Sequence, residues 1–239
     1  MNLHRLFVLA VAAAASAVGF SAPAEPAAAL HSAFVDPNSS DPEIASVRKA
    51  GDEAIKLLES RMVQEISSAI ARTGEEAALD VAHLKQMPMT DGRIAGLPNI
   101  TAFKTTSYKV RAPKNKPDAA ELLVLEQYLG DLKAGRTPAD VVVQRIETAD
   151  KKHEWRVYRA LVAQRMCLIC HGDLFNKPAR FRDKLESRYP LDQAIDYGAN
   201  EWRGLLRVTV DLTPPPETKA NTPAKPATAP TARPEAKKN

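Results

Sequence analysis

The stretch Leu205-Leu206-Arg207-Val208-Thr209-Val210-Asp211-Leu212 decides what kind of fold this chain can adopt. Leu206, Val208, Val210 and Leu212 alternate with Arg207, Thr209 and Asp211. A strict two-residue period marks a β-strand with one apolar and one polar face. Working back, residues 155–161 and Val141-Val142-Val143 are shorter strand candidates, and 103–111 is rich in the Thr, Tyr and Val that strands favour. A purely helical bundle is therefore a poor reading of this sequence.

Helical patterns lie before and between these strands. Asp41-Pro42-Glu43 combines an N-cap acid, proline at the first helical position and an acid in the first turn. Ile44, Val47, Ile55, Leu58, Met62, Ile66 and Ala69 then recur at three- and four-residue steps, one apolar face of a long helix that Gly74 should stop. Residues 75–86 predict a second helix closed by Pro88, and 118–132 and 178–188 predict two more. The outcome is an α+β domain over residues 41–212, with one sheet and helices packed on one side of it.

The flanks differ in character. Arg5 precedes an uncharged apolar run of 13 residues, Leu6 to Val18, and small residues follow around Ala22-Pro23-Ala24. That run is shorter than the roughly 20 residues of a spanning helix, so residues 1–24 predict a cleaved secretory signal peptide. The expectation is a periplasmic protein with no stable membrane span after cleavage. Residues 25–40, rich in Ala, Pro and Ser, predict a flexible leader, and 213–239, of Pro, Ala, Thr and Lys, a disordered tail. The formal charge of +4 belongs to these flanks. Without Arg5 and the residues from Thr213 onward, 27 basic and 27 acidic residues remain, which argues against a nucleic-acid partner.

The only two cysteines stand in Cys167-Leu168-Ile169-Cys170-His171-Gly172. This is C-x-x-C-H, the attachment pattern for c-type haem. Two thiols three positions apart reach the two vinyl groups on the haem edge to form thioethers, and His171 follows as the proximal iron ligand. One covalent haem c is the cofactor expected. A thioredoxin-like disulfide would want a βαβ context that is absent, and a zinc site would want a second Cys/His pair. No histidine, methionine or cysteine follows His171, so a distal ligand of those types must come from earlier in the chain. His31 falls in the leader, His153 in the charged stretch Lys151-Lys152-His153-Glu154, Met62 on the apolar helical face, and Met166 beside the first haem cysteine. Leu79, His83 and Met87 stand at four-residue spacing on one helix face. His83 is the leading distal candidate, with Met87 and Met89 as reserves and an open site as the alternative.

The order and spacing of several pieces between Glu76 and Val210 resemble a family of single-haem, PAS-like c-type domains grouped as a domain of unknown function. The matching pieces are Ala78-Leu79-Asp80-Val81-Ala82, Thr106-Ser107-Tyr108-Lys109-Val110-Arg111, Pro113-Lys114-Asn115-Lys116-Pro117-Asp118 with Glu121, the haem motif, and Arg203-Gly204-Leu205. The resemblance implies a PAS-like antiparallel sheet with a long N-terminal helix and flanking helices. It also implies a distal cysteine at the end of the first piece, where this chain has Ala82 with His83 beside it. Helical neighbours differ by about 100° in direction, so His83 serves there only with a rotated or shifted helix. The asparagine that follows the arginine in the family is Ala112 here, and the tryptophan before Glu121 is Ala120.

These readings predict a periplasmic monohaem protein in electron transfer or in redox or gas sensing, partnered by a redox protein or a small gas ligand. The alternative is a peroxidase-like enzyme with an open iron, in which His83 would be the distal acid–base group.

Overall fold

Asp41 starts the first helix as its sequence predicts. Its carboxylate accepts from the amides of Glu43 at 2.8 Å and Ile44 at 3.4 Å, and Pro42 takes the position where a missing amide costs nothing. The resulting helix, α1, runs Pro42–Ala78. Gly74 breaks it rather than ending it: at φ 80° and ψ 169° the glycine leaves helical geometry, and a last turn continues across the kink.

The computed structural model describes residues 32–80, 88–147 and 153–214. Strands β1 (Ser32–Val35), β4 (Ile100–Thr106), β5 (Val142–Glu147), β6 (His153–Val162) and β7 (Trp202–Val210) form one sheet in the order β1-β5-β6-β7-β4. Every neighbouring pair is antiparallel. A short hairpin, β2 (Met89–Thr90) with β3 (Arg93–Ile94), precedes β4. Helix α2 covers Ala119–Lys133, α3 is the single turn Leu168–His171, and α4 spans Ala179–Arg188. The chain is thus α+β with an antiparallel sheet and several helices.

Helices pack on both faces of the sheet, which corrects the one-sided expectation. On one face Val47, Ala54, Ile55 and Leu58 of α1 pack against Val143, Val157, Leu206 and Val208. On the other, Val124 and Leu125 of α2 pack against Val142, Tyr158 and Leu205. Adjacent strand residues point to opposite faces, so these are two separate cores. The second core is partly polar. Glu121 is wholly buried, and its Oε2 accepts from Lys104 Nζ at 2.7 Å, Thr106 Oγ1 at 3.2 Å and the Asp118 amide at 3.0 Å. Asp118 answers by accepting from the Glu121 amide at 2.8 Å, a reciprocal cap that starts α2. Arg207 Nε lies 3.2 Å from the other Glu121 oxygen. Arg207, on the polar face that the sequence predicts for this strand, is under α2.

Three further differences from the sequence reading concern the edges. Ser32–Val35, placed in the flexible leader, is an edge strand in register with β5 from Ser32 opposite Ile146 to Val35 opposite Val143. The strand expected over 103–111 begins earlier and ends at Thr106. The hairpin was not anticipated; Arg93 fixes it by donating to the carbonyls of Pro98, Asp211 and Thr213, each at 2.7 Å. The predicted signal peptide, residues 25–31 of the predicted leader, and the predicted tail beyond Pro214 lie outside the described residues. Among the described residues no helix is long and apolar enough to cross a membrane.

Candidate functional site

Strand β6 leads through Ala163 and Gln164 into a 3-10 turn, Arg165–Cys167, and then α3. Backbone bonds close the two turns, Cys167 N to Gln164 O at 2.8 Å and Gly172 N to Leu168 O at 3.0 Å. A side chain at Gly172 would place its Cβ 2.8 Å from that same Leu168 carbonyl, so the turn closes tightly only on glycine. The predicted triad therefore sits on one helical turn. Cys167 and Cys170 are free, half-buried thiols, and His171 follows directly.

The loop between α4 and β7 wraps this turn. Tyr197 N donates to His171 O at 3.0 Å, Asp196 N to Gly172 O at 3.2 Å, and Asn200 N to Ala163 O at 2.8 Å. Asp196 and Asn200 adopt φ of 60° and 63°, the left-handed conformation that Asp and Asn tolerate best after glycine. The loop places the Ala194 carbonyl 2.6 Å from His171 Nδ1. A carbonyl can only accept, so Nδ1 carries the proton and Nε2 keeps its lone pair. Burial, with the charges of Arg203 and Arg111 behind it, holds the His171 pKa well below the usual imidazole range. The contact aims the ring, and the downward shift favours its neutral form, as metal binding requires.

One carboxylate ties the loop to the motif. Asp192 Oδ2 accepts from Arg111 Nε at 2.7 Å while Oδ1 accepts from the Ala194 amide at 2.8 Å. Arg111 Nη2 in turn donates to the Cys170 carbonyl at 2.5 Å. On its other side Cys170 packs against Leu79, Phe181 and Leu185, an apolar cluster that pushes its thiol pKa up. Ion pairs bind the end of α1 to this region: Glu75 with Lys177, Glu76 with Arg180, and Asp80 with Lys184, each at 2.7 Å.

Of the distal candidates, His83 and Met87 lie outside the described residues. Met89 is described and is misplaced for the role. It is half exposed on β2, in a hairpin that Arg93 fixes to the C-terminal end of β7. The motif lies at the other end, where Ala163 N donates to Glu201 O. The nine residues of β7 separate the two by roughly 27 Å at about 3.3 Å per residue. Met89 is therefore too far from His171 to serve as a distal ligand. His153 is exposed at the start of β6, as its charged surroundings predict. Arg111, Asp192 and the Ala194 carbonyl had not been singled out as site groups. Their signal is tertiary, since the acceptor for His171 is a backbone oxygen 23 residues away.

No curated protein matches the chain. Among solved structures, the crystal structure of the cyanobacterial heme-protein Tll0287 matches with 19% identity, over 74% of this chain and 99% of that one, at a TM-score of 0.44. The sequence profile of the Tll0287-like family matches residues 44–211, a span that holds α1 almost from its start, the C-x-x-C-H turn, the Asp192–Ala194 loop and all of β7. On the strength of that continuous match, the chain belongs to the Tll0287-like family.

Proposed function

We propose that this chain is an exported c-type haem protein. Cys167 and Cys170 form its thioethers, His171 Nε2 is the proximal iron ligand, and its work is electron transfer or redox or gas sensing. The observation that carries the reading is the 2.6 Å contact from His171 Nδ1 to the Ala194 carbonyl, on the residue that closes a C-x-x-C-H turn. The donor set fits the group: two free thiols on one turn and one imidazole nitrogen with its lone pair kept open. The name of the cyanobacterial heme-protein Tll0287 points the same way.

When bound, haem supplies a one-electron couple and a site for small diatomic ligands. The chain's own residues do the rest. Ala194 fixes the tautomer and the plane of His171, Asp192 and Arg111 hold loop and motif in register, and Leu79, Phe181 and Leu185 keep water from the Cys170 side. His83 is the proposed distal ligand, on the sequence argument that few residues of a suitable type precede the motif. The sheet with its long first helix is proposed as PAS-like. The periplasm is proposed from residues 1–24, and the partner as a redox protein or a small gas.

Intact mass of the chain secreted by cells that mature cytochromes tests the attachment. A gain of one haem is expected, and a mass equal to bare polypeptide refutes it. Ferric and ferrous spectra with and without carbon monoxide then separate an electron carrier with two protein ligands from a gas binder with one.

A further inference from the structure

Arg203 brings a positive charge to the neighbourhood of the motif. It precedes Gly204 in β7, and its Nε is buried without a hydrogen-bond partner. No ion pair to Arg203 occurs among the described residues. Asp192 is already engaged by Arg111 Nε and the Ala194 amide. Its guanidinium carbon stands 6.0 Å from the Tyr197 ring centroid, and Tyr197 is the residue whose amide holds the His171 carbonyl. Lys109 Nζ, 5.0 Å from the same ring, adds a further cation.

Beside the turn there are two guanidiniums, Arg111 and Arg203, and among the described residues only Arg111 of the two is ion-paired, with Asp192. A guanidinium whose Nε is buried without a hydrogen-bond partner is costly to keep, and pairing with an anion relieves it. The anion must come within reach of Arg203 and present a planar acceptor to a planar fork of donors. A carboxylate does this best. Haem carries two such groups as its propionates.

We propose that Arg203, seated against the Tyr197 ring whose own amide holds the His171 carbonyl, is the binding group for a haem propionate and thereby shifts the haem couple toward the ferrous form. This rests on the haem reading above. The sense of the shift is electrostatic: a propionate left unanswered stabilises the extra positive charge of the ferric state, and Arg203 cancels that field.

The test uses the full chain matured with haem, as wild type, Arg203→Gln and Arg203→Lys, with Arg61→Gln on the exposed part of α1 as the control for losing one positive charge. Intact mass comes first. A wild-type chain without haem refutes the haem reading itself, whereas haem retained in every variant leaves that reading standing and puts Arg203 on trial. Spectroelectrochemical titration should show Arg203→Gln favouring the ferric form by about tenfold, which is about 59 mV in a one-electron couple. Arg203→Lys should move it less and Arg61→Gln least. The propionate bending band in resonance Raman should move in both Arg203 variants, because lysine keeps the charge and loses the fork. A couple displaced no further in Arg203→Gln than in Arg61→Gln, with an unmoved propionate band, overturns the proposal. Should Arg203→Gln fail to fold, an unmoved band in Arg203→Lys overturns it alone.

Discussion

Two chemically identical substitutions, Gly51→Ala and Gly130→Ala, should change stability in opposite directions. Both glycines are inside helices, Gly51 in α1 and Gly130 in α2. Helix propensity alone favours alanine at each by about 1 kcal/mol. Gly130 is exposed, and nothing lies within 4 Å of the position its Cβ would take. There the propensity gain should survive nearly whole. At Gly51 the new Cβ would fall 2.4 Å from Val157 Cγ2 and 2.5 Å from Val157 Cβ. The first contact could be relieved by rotating the valine, but the second cannot, because Cβ does not move with χ1. Helix and strand would have to separate by more than an ångström, through a core where Val157, Ile55 and Leu58 are wholly buried. Overpacking of this kind costs roughly 1–3 kcal/mol and occasionally more, and the backbone-limited contact puts this case at the upper end. Subtracting the propensity gain leaves Gly51→Ala destabilised by about 2 kcal/mol, against a stabilisation of up to about 1 kcal/mol for Gly130→Ala. Urea unfolding curves measure both, with matching slopes as the sign that the unfolded states are alike. A Gly51→Ala protein as stable as the wild type would refute the close approach of α1 to β6.

Replacing Cys167 and Cys170 together by alanine should abolish haem staining on a denaturing gel, while the far-ultraviolet circular dichroism persists. Asp192→Ala breaks a pair whose side chains are only 8% and 11% exposed; it should cost about 3–5 kcal/mol in a denaturant titration. It should also broaden the Soret band of the haem-loaded protein as His171 loses its fixed plane. His83→Ala should change the ferric Soret and visible bands, and identical spectra would remove His83 as the distal ligand. Burial pushes the Asp52 pKa up, but hydrogen bonds from Lys56 and Arg159 outweigh it and hold the carboxyl below its usual range. A depressed carboxylate stabilises the fold above its unfolded pKa of about 4 and stops doing so as pH falls through the folded value. The stability gap between wild type and Asp52→Asn should therefore be larger at pH 6 than at pH 3, by urea midpoints.

What could be read from the sequence was whatever the chain encodes locally. The Asp41 cap, the start of α2 at Asp118, the break at Gly74 and the alternation of Leu206, Val208 and Val210 all depend on neighbours a few residues away, and all reappear. The second face of the sheet was misread for a physical reason. Arg207 and Thr209 look like a solvated face, yet Glu121 of α2 draws Arg207, Lys104 and Thr106 into a covered polar layer. Polarity in a strand reports exposure only when no buried counter-charge waits opposite it. Strand β1 was hidden because Ser32-Ala33-Phe34-Val35 is too short to show a period, and its partner β5 is more than a hundred residues away. At the site, covalent chemistry fixes the spacing of Cys167, Cys170 and His171, so the sequence displays it. The groups that orient them are assembled from two distant loops, and one of them is a carbonyl oxygen that every residue possesses.

The pairing of β1 with β5 matters for how far the N-terminal end can be shortened. Cut near residue 24, the chain keeps Ser32–Val35 and its outermost ladder is occupied on one side. Trimmed past Val35, by proteolysis or by a designer's choice of start, it would bare the amides and carbonyls along Val142–Glu147. That rim is a ready template for a neighbouring molecule's strand, and such a shortened protein should cluster on storage while the longer one stays dispersed.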